Sequence, residues 1–258
     1  MEVAQLFSLQ GKVAAVVGGT GVLGGTFCRG LADAGASVAV LGRSTERGAA
    51  VVAELERGGH AALHVSTDAT EREQLEAAER CIVQRFGGVD ILVNAAGINS
   101  TTPFFDLRED EWHRILDTNL TSTMLACQVF ARGMVERGRG GCIINVSSDS
   151  SEIPLSKVLT YGVSKAGVNN LTRYLARELA PHSIRVNALL PGFFPAEQNR
   201  RILAPERVEA ILRHTPMARL GEPEELIGAV VWLSSERAAG FVTGALICVD
   251  GGFSAMTI

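Results

Sequence analysis

Short apolar runs alternate with longer segments of helical period almost from end to end of the chain. Val13–Val17 is the first run, followed by a helical pattern through GTFCRGLADAG. Val38–Leu41 comes next with the helix TERGAAVVAELERG, then Ala62–Val65 with the charged amphipathic stretch TEREQLEAAERCIVQRFG. Ile91–Val93 precedes a long helical stretch from about Glu109 to Glu136. Cys142–Val146 precedes YGVSKAGVNNLTRYLARELAP, a helix ending at Pro181, and Ile184–Leu189 and Leu246–Val249 are the last two runs. These runs are near-continuously apolar instead of alternating, which is the pattern of strands covered by helices on both faces. The predicted fold class is therefore α/β, a doubly wound seven-stranded parallel sheet with helices on both faces. No repeat, low-complexity tract or shift in composition divides residues 1–258, which read as one domain. The rhythm breaks at about 192–224, a polar stretch containing Pro195, Pro205, Pro216 and Pro223, and an insertion of that size after a strand is expected to form a substrate lid.

Composition narrows the function classes. The chain is 47% hydrophobic and 20% charged with a formal net charge of -4, which fits a globular protein and gives no basic stripe for nucleic acid. The densest basic cluster, Arg132 to Arg139, reads as the solvated end of a helix. The N-terminal MEVAQLFSLQ has neither the basic nor the long apolar region of a signal peptide, and no apolar run approaches the about 20 residues of a membrane span, so the expected location is the cytoplasm with no membrane partner. Five cysteines (Cys28, Cys81, Cys127, Cys142, Cys248) are scattered and odd in number, four of them in apolar contexts, as expected of buried thiols in a reducing compartment. The histidines His60, His64, His113, His182 and His214 lack ligand spacing, so no metal is expected and most should be exposed.

The turn GGTGVLGG follows the first strand and opens a helix, the context a dinucleotide-binding turn requires. Gly19, Gly21 and Gly24 satisfy G-x-G-x-x-G, although such a turn also forms without a ligand. Backbone N–H groups must come close to a pyrophosphate, and the helix N-terminus adds unpaired donors. The second strand ends in Gly42-Arg43 with no carboxylate to accept ribose hydroxyls; a guanidinium there suits the 2′-phosphate of NADP(H), which is favoured, with NAD(H) left open.

Tyr161 and Lys165 lie four apart on one helical face. A phenol is a poor acid–base catalyst at neutral pH, and a nearby ammonium favours its phenolate. The fifth strand ends in NVSS, with Ser148 thirteen residues before Tyr161; Asn94-Ala95-Ala96-Gly97 closes the fourth strand, Asn119 lies in DTNLTS, Asp68 follows the third strand, and Pro191-Gly192 closes the sixth. In this set, from Lys12 to Gly252, the chain resembles the short-chain dehydrogenase/reductase family, whose fold is a Rossmann-type NAD(P)-binding domain. The resemblance implies a catalytic tetrad of Asn119, Ser148, Tyr161 and Lys165. Tyr161 would exchange a proton with the substrate oxygen and Ser148 would orient that oxygen. Lys165 would lower the pKa of Tyr161 and hold the nicotinamide ribose, and Asn119 would steady a water leading from Lys165 to solvent. Ser147 competes with Ser148, but alternation puts the two on opposite sides and the family spacing selects Ser148. The resemblance also implies that the cofactor meets Gly18, Thr20, Gly21, Val22, Leu23 and Gly24 at the turn, Arg43, Asp68 and Ala69 at the adenosine end, and Asn94, Ala95, Ala96 and Gly97 along the cleft. Tyr161, Lys165, Pro191, Gly192 and Phe194 would lie at the nicotinamide. Three positions, two in the turn and one after the sixth strand, depart from the family pattern. Val17 and Val22 replace a Thr and a Gly of the usual turn, so the spacing fits Gly18, Gly21 and Gly24, and Ala196 stands where a Thr is frequent.

The lid sequence is polar at Glu197-Gln198-Asn199-Arg200-Arg201, suited to hydroxyls and a carboxylate. Glu197, Asn199 and Arg200 are the candidate substrate residues. PGFF…EQNR, HTPM.R.GEPEEL and VDGGFSA, with the turn itself, are similar to the D-mannonate oxidoreductase (fructuronate reductase)-like branch. The resulting expectation is an NAD(P)-dependent oxidoreductase acting on a sugar acid or polyol as its small-molecule substrate. The alternatives are a 3-oxoacyl-[acyl-carrier-protein] reductase, for which Arg200, Arg201 and Arg219 offer a basic surface, and a non-catalytic NADP-sensing regulator, which the presence of Tyr161 and Lys165 argues against. Phe104, Phe105, Phe193 and Phe194 either shape a hydrophobic site or belong to the core. The family is commonly tetrameric, so a homotetramer or dimer is expected; Trp112, Leu116 and Leu120 form an apolar stripe that suits such an interface or packing within the chain.

Overall fold

The structure is a computed structural model that describes residues 2–194 and 205–256. Seven strands form one parallel sheet in the order β3-β2-β1-β4-β5-β6-β7. They are β1 Val13–Val17, β2 Ser37–Gly42, β3 Ala62–Ser66, β4 Ile91–Asn94, β5 Gly141–Val146, β6 Ile184–Pro191 and β7 Leu246–Val249. Each predicted run is a strand, extended by a residue or two where neighbours supply ladder partners. Asn94, for example, pairs both Val17 of β1 and Asn145 of β5.

Alternation along β1 sends its residues into two cores. Ala14 and Val16 pack on one face with Phe27, Leu31 and Leu233, and Val13, Ala15 and Val17 pack on the other with Ile82, Phe130 and Met134. Helices α1 (Val3–Leu6), α2 (Val22–Asp33), α3 (Thr45–Arg57), α4 (Arg72–Phe86), α5 (Glu109–Leu116), α6 (Ser122–Arg137) and α7 (Leu159–Leu179) precede further helices at Pro205–His214 and Ile227–Ser234. Local chemistry sets several ends: the Ser44 hydroxyl accepts from the Arg47 N–H at 3.2 Å to start α3, and Gly87 and Gly138, at φ +87° and +64°, close α4 and α6.

Several expectations need correcting. The stretch from Glu109 to Glu136 is not one regular helix, because Asp117–Thr121 forms a π turn between α5 and α6. Helix α7 stops at Leu179, and Pro181 lies in a separate 3₁₀ turn, Ala180–His182. Within 192–224, Pro205–His214 is helical. The Arg132–Arg139 cluster is not wholly solvated: Arg137 is half-buried, donates to the Val89 carbonyl, and has its pKa lowered by burial. Three cysteines, not four, are buried; Cys28 and Cys127 are pushed up to about 12 and Cys142 to about 11 by burial, whereas Cys81 and Cys248 are exposed. Leu120 of the apolar stripe packs inside the chain, since a Cβ on Gly167 of α7 would lie 2.7 Å from its Cδ2. His113, His182 and His214 are exposed, and no metal-holding cluster is present among the described residues. No described helix is long and apolar enough to cross a membrane.

Candidate active site

The sheet order reverses direction between β1 and β4, and the crevice beyond their C-terminal ends is where open α/β sheets bind ligands. Here the glycine turn is dictated by contact. Gly18 has φ +80°, and a Cβ on it would lie 2.6 Å from the Ala96 nitrogen. A Cβ on Gly24 would lie 2.1 Å from the Gly18 carbonyl oxygen, so the first turn of α2 is pressed against the exit from β1. Gly21 caps α2, and a Cβ there would meet only the Gly18 oxygen, at 3.3 Å, leaving its other side open to an approaching phosphate. Gly18, Gly21 and Gly24 are thus the spacing the backbone uses. Val22 and Leu23 open the helix, and Thr20 lies against β2, where a Cβ on Gly42 would be 2.5 Å from its hydroxyl oxygen.

A cleft of about 1090 Å³ runs past this turn. Gly18, Thr20, Gly21, Arg43, Asp68, Ala69, Ala95, Ala96 and Gly97 line it. Arg43 is exposed, with its guanidinium 3.8 Å from Asp68. Asp68 is desolvated, which raises its pKa, but the Thr70 N–H and hydroxyl and the Arg43 charge outweigh this and hold it low. Sequence reasoning missed Ser44, Arg47, Thr67, Thr118, Thr121 and Ser122, which also line the cleft. The position of Ser44 and Arg47 in the first turn of α3, beside Arg43, was the available signal.

Asn94 is not a wall of the cleft. Its side chain is buried beneath, donating to Asn145 Oδ1 at 2.9 Å, while Asn145 donates to the Thr172 hydroxyl at 2.9 Å. This chain of amides braces β4, β5 and α7. Gly192 continues β6 by donating to the Val249 carbonyl, and the buried Phe194 and half-buried Phe193 line a separate cavity of about 100 Å³ near Asp250. Glu197, Asn199 and Arg200 lie outside the described residues. Phe104 and Phe105 are exposed and are not core.

The four tetrad positions converge from three elements. The π turn carries Asn119, which is fully buried: Oδ1 accepts from the Ile98 N–H at 2.8 Å, and Nδ2 donates to the Ile98 carbonyl at 2.9 Å and to Ser164 Oγ at 3.0 Å. Ser164 in turn donates to the Tyr161 carbonyl at 2.7 Å, which ties Asn119 to the Tyr161 turn of α7. Inserted π turns recur at functional sites because they re-aim side chains without ending the helix. A Cβ on Gly97 would lie 3.4 Å from Asn119 Oδ1 and 3.6 Å from Lys165 Nζ, so a glycine keeps the space between those two groups open.

Lys165 is buried, its Nζ donating to the Val146 carbonyl at 2.7 Å and standing 5.6 Å from the centre of the Tyr161 ring. Burial lowers its pKa to about 8. Ser147 and Ser148 do face opposite ways: Ser147 is buried and donates to the Lys165 carbonyl at 3.2 Å, whereas the Ser148 side chain hydrogen-bonds Tyr161. The pKa of Tyr161 is raised in this setting. Burial raises it most, the Ser148 bond lowers it, and the nearby Asp149 raises it again. No lowering by Lys165 stands among these influences, in contrast to the expectation, and the phenol is protonated at neutral pH.

A family model described as Enoyl-(Acyl carrier protein) reductase matches residues 21–254. The chain belongs to the short-chain dehydrogenase/reductase family. As a member of it, the protein is an oxidoreductase. It is 39% identical to the Uncharacterized oxidoreductase UxuB of Bacillus subtilis (strain 168), over 96% of each chain. It is 38% identical to the 5-keto-D-gluconate 5-reductase of Escherichia coli (strain K12), over 96% of this chain and 97% of the relative. Its structure resembles a gluconate 5-dehydrogenase from Burkholderia cenocepacia J2315 in complex with NADP and tartrate. The two are 34% identical with a TM-score of 0.95, over 99% of this chain and 100% of the other.

Proposed function

We propose that this dehydrogenase/reductase interconverts a sugar acid of the gluconate type with its keto form, using NADP(H). The observation that carries the reading is the convergence of Ser148, Tyr161 and Lys165, braced through Asn119 and Ser164, beside a dinucleotide-sized cleft. The cleft fits the cofactor: Gly21 is open where a phosphate would approach, and Arg43 stands at the end of β2 for a 2′-phosphate. When bound, the nicotinamide supplies or accepts the hydride. The protein does the rest. Ser148 orients the carbonyl oxygen, and Tyr161, protonated at neutral pH, gives it a proton in reduction and takes one back in oxidation. Lys165 brings positive charge to the phenol and the ribose, and Asn119 holds the turn that faces Lys165.

The relatives named above for keto-gluconate and gluconate chemistry support the sugar-acid class. The polar set Glu197, Asn199 and Arg200 would meet the substrate from a lid at 192–224 on a single domain of residues 1–258. Three buried thiols support a reducing compartment, the cytoplasm, and the assembly we propose is a homotetramer or dimer.

The test is an absorbance assay of NADPH and NADH consumption against 5-keto-D-gluconate, other keto sugars and an acetoacetyl thioester. Turnover of 5-keto-D-gluconate is expected; turnover of the thioester alone overturns the sugar-acid reading. Arg43→Leu should lower kcat/KM with NADPH by about tenfold or more, the worth of one charge-assisted contact, and leave NADH nearly unchanged. Equal losses with both cofactors would remove Arg43 as the basis for NADP(H).

A further inference from the structure

Asp149 follows Ser148 directly and opens the 3₁₀ turn Asp149–Ser151, which packs on α7. It is 98% buried (2% exposed), yet neither carboxyl oxygen has a hydrogen-bond partner. A Cβ on Gly192 would lie 3.1 Å from its Oδ2 and 2.8 Å from the Asp250 Cβ, so the side chain is held between the ends of β5, β6 and β7. A buried carboxyl without partners costs stability, so its presence calls for a task. Nothing in the dehydrogenase mechanism above uses it.

We propose that Asp149 is a positioning residue for the proton transfer at Tyr161: its carboxylate, held behind Ser148, opposes the phenolate and keeps the hydroxyl protonated. This rests on the reading of Tyr161 as the acid–base group. The turn that Asp149 opens packs on α7, which carries Tyr161, and the Ser148 side chain bonds the phenol to the backbone next to Asp149, whose charge works against the phenolate. The ionisable groups around Asp149 are Asp250 and Cys248 at the end of β7 and Tyr161 on α7, with Glu152, just past its own turn, acting on the same Cys248. Among these none is a cation. Asp250 is already committed, accepting from the Gly252 N–H at 2.9 Å and from the Ser254 N–H at 2.8 Å. Burial and the Asp250 charge push the Asp149 carboxyl up to about 7. The opposition is therefore weak below about pH 7 and full above it, so that the rise of alcohol oxidation with pH begins at higher pH than it would without the carboxylate.

The chain has only two tyrosines, so Tyr174→Phe leaves Tyr161 as the sole phenol. In that background, phenolate absorbance is followed against pH for the full-length protein with Asp149 and for Asp149→Asn, which removes the charge and keeps the shape. The Tyr161 midpoint should fall by about half a pH unit or more in Asp149→Asn, as expected for a charge lost at short range in a partly desolvated site. Should Asn not be tolerated, Asp149→Ser should lower the midpoint in the same direction. A midpoint unchanged or raised in both variants overturns the proposal. With NADP⁺ and gluconate, the acid limb of kcat/KM for oxidation should move down in pH by the same amount. Failure to turn over gluconate with a shifted phenol midpoint overturns the substrate reading and leaves the role of Asp149 standing. Turnover with unshifted midpoints does the reverse.

Discussion

Tyr161→Phe should fold as the parent does and lose catalysis by about 10²- to 10⁴-fold in kcat, the usual worth of a positioned acid–base group. The substitution deletes one oxygen and keeps the ring, so its packing over Lys165, at 5.6 Å from the ring centre, survives. The lost bond is to the Ser148 side chain, which retains Ser150 as a partner through its hydroxyl at 3.0 Å. Stability should therefore change by about 1 kcal/mol at most, and NADPH binding should weaken far less than kcat falls. A raised phenol pKa also sets the direction of the pH dependence. Reduction needs the protonated hydroxyl and should hold its rate through neutrality, whereas oxidation needs the phenolate and should rise with pH. Steady-state kinetics in both directions, with thermal denaturation as the folding control, check this. Retention of full activity by the Phe variant would sink the tetrad assignment, and a loss accompanied by unfolding would be read instead from Ser148→Ala.

The residues that place this site differ in how openly they declare themselves. The strands are plain because burial on both faces leaves β1 and β6 with no polar position except where an amide or guanidinium finds internal partners, as Asn187 and Arg185 do at Val242 and Leu233. Tyr161 and Lys165 are legible because they recur at one helical spacing on one face. The π turn is not: one extra residue in the helix from Glu109 onward barely disturbs its apolar period, so Asn119 is recognisable by resemblance while the geometry that aims it is not. The helix Ile227–Ser234 is apolar nearly all round and lacks a periodic face, and Pro205–His214 was hidden inside a polar, proline-marked stretch. The family resemblance sets Asn94 along the cleft, but its Nδ2 is turned beneath it, donating to Asn145 Oδ1 and Cys127 Sγ. Asp149 gave no signal, since an Asp among serines after a strand reads as an ordinary turn residue. Only its burial and lack of partners set it apart.

Gly24→Ala and Gly25→Ala, adjacent and both inside α2, should have opposite effects. In a helix interior alanine is favoured over glycine by about 1 kcal/mol, so propensity alone predicts that both variants gain stability. At Gly25 nothing opposes the gain, because the nearest atom to an added Cβ is 3.7 Å away, an ordinary contact. At Gly24 the added Cβ would stand 2.1 Å from the Gly18 oxygen, 2.8 Å from the Gly18 carbonyl carbon and 2.9 Å from the Gly19 Cα. These are backbone atoms and cannot rotate aside. The turn cannot retreat either, since Gly18 itself already lies where a Cβ would be 2.6 Å from the Ala96 nitrogen. Relief requires the first turn of α2 to lift off β1, and overpacking of that kind costs about 1–3 kcal/mol, more than the propensity gain. Lifting also moves the N–H groups of Val22 and Leu23 away from the cleft, where a pyrophosphate needs them. Gly24→Ala should therefore melt below the parent and bind NADPH about a hundredfold or more weakly, whereas Gly25→Ala should melt at or above the parent with binding retained. Thermal denaturation and calorimetric titration with NADPH measure both quantities. Equal behaviour of the two variants would mean that the turn yields where the contacts say it is fixed, and the pyrophosphate cradle would have to be placed elsewhere in the cleft.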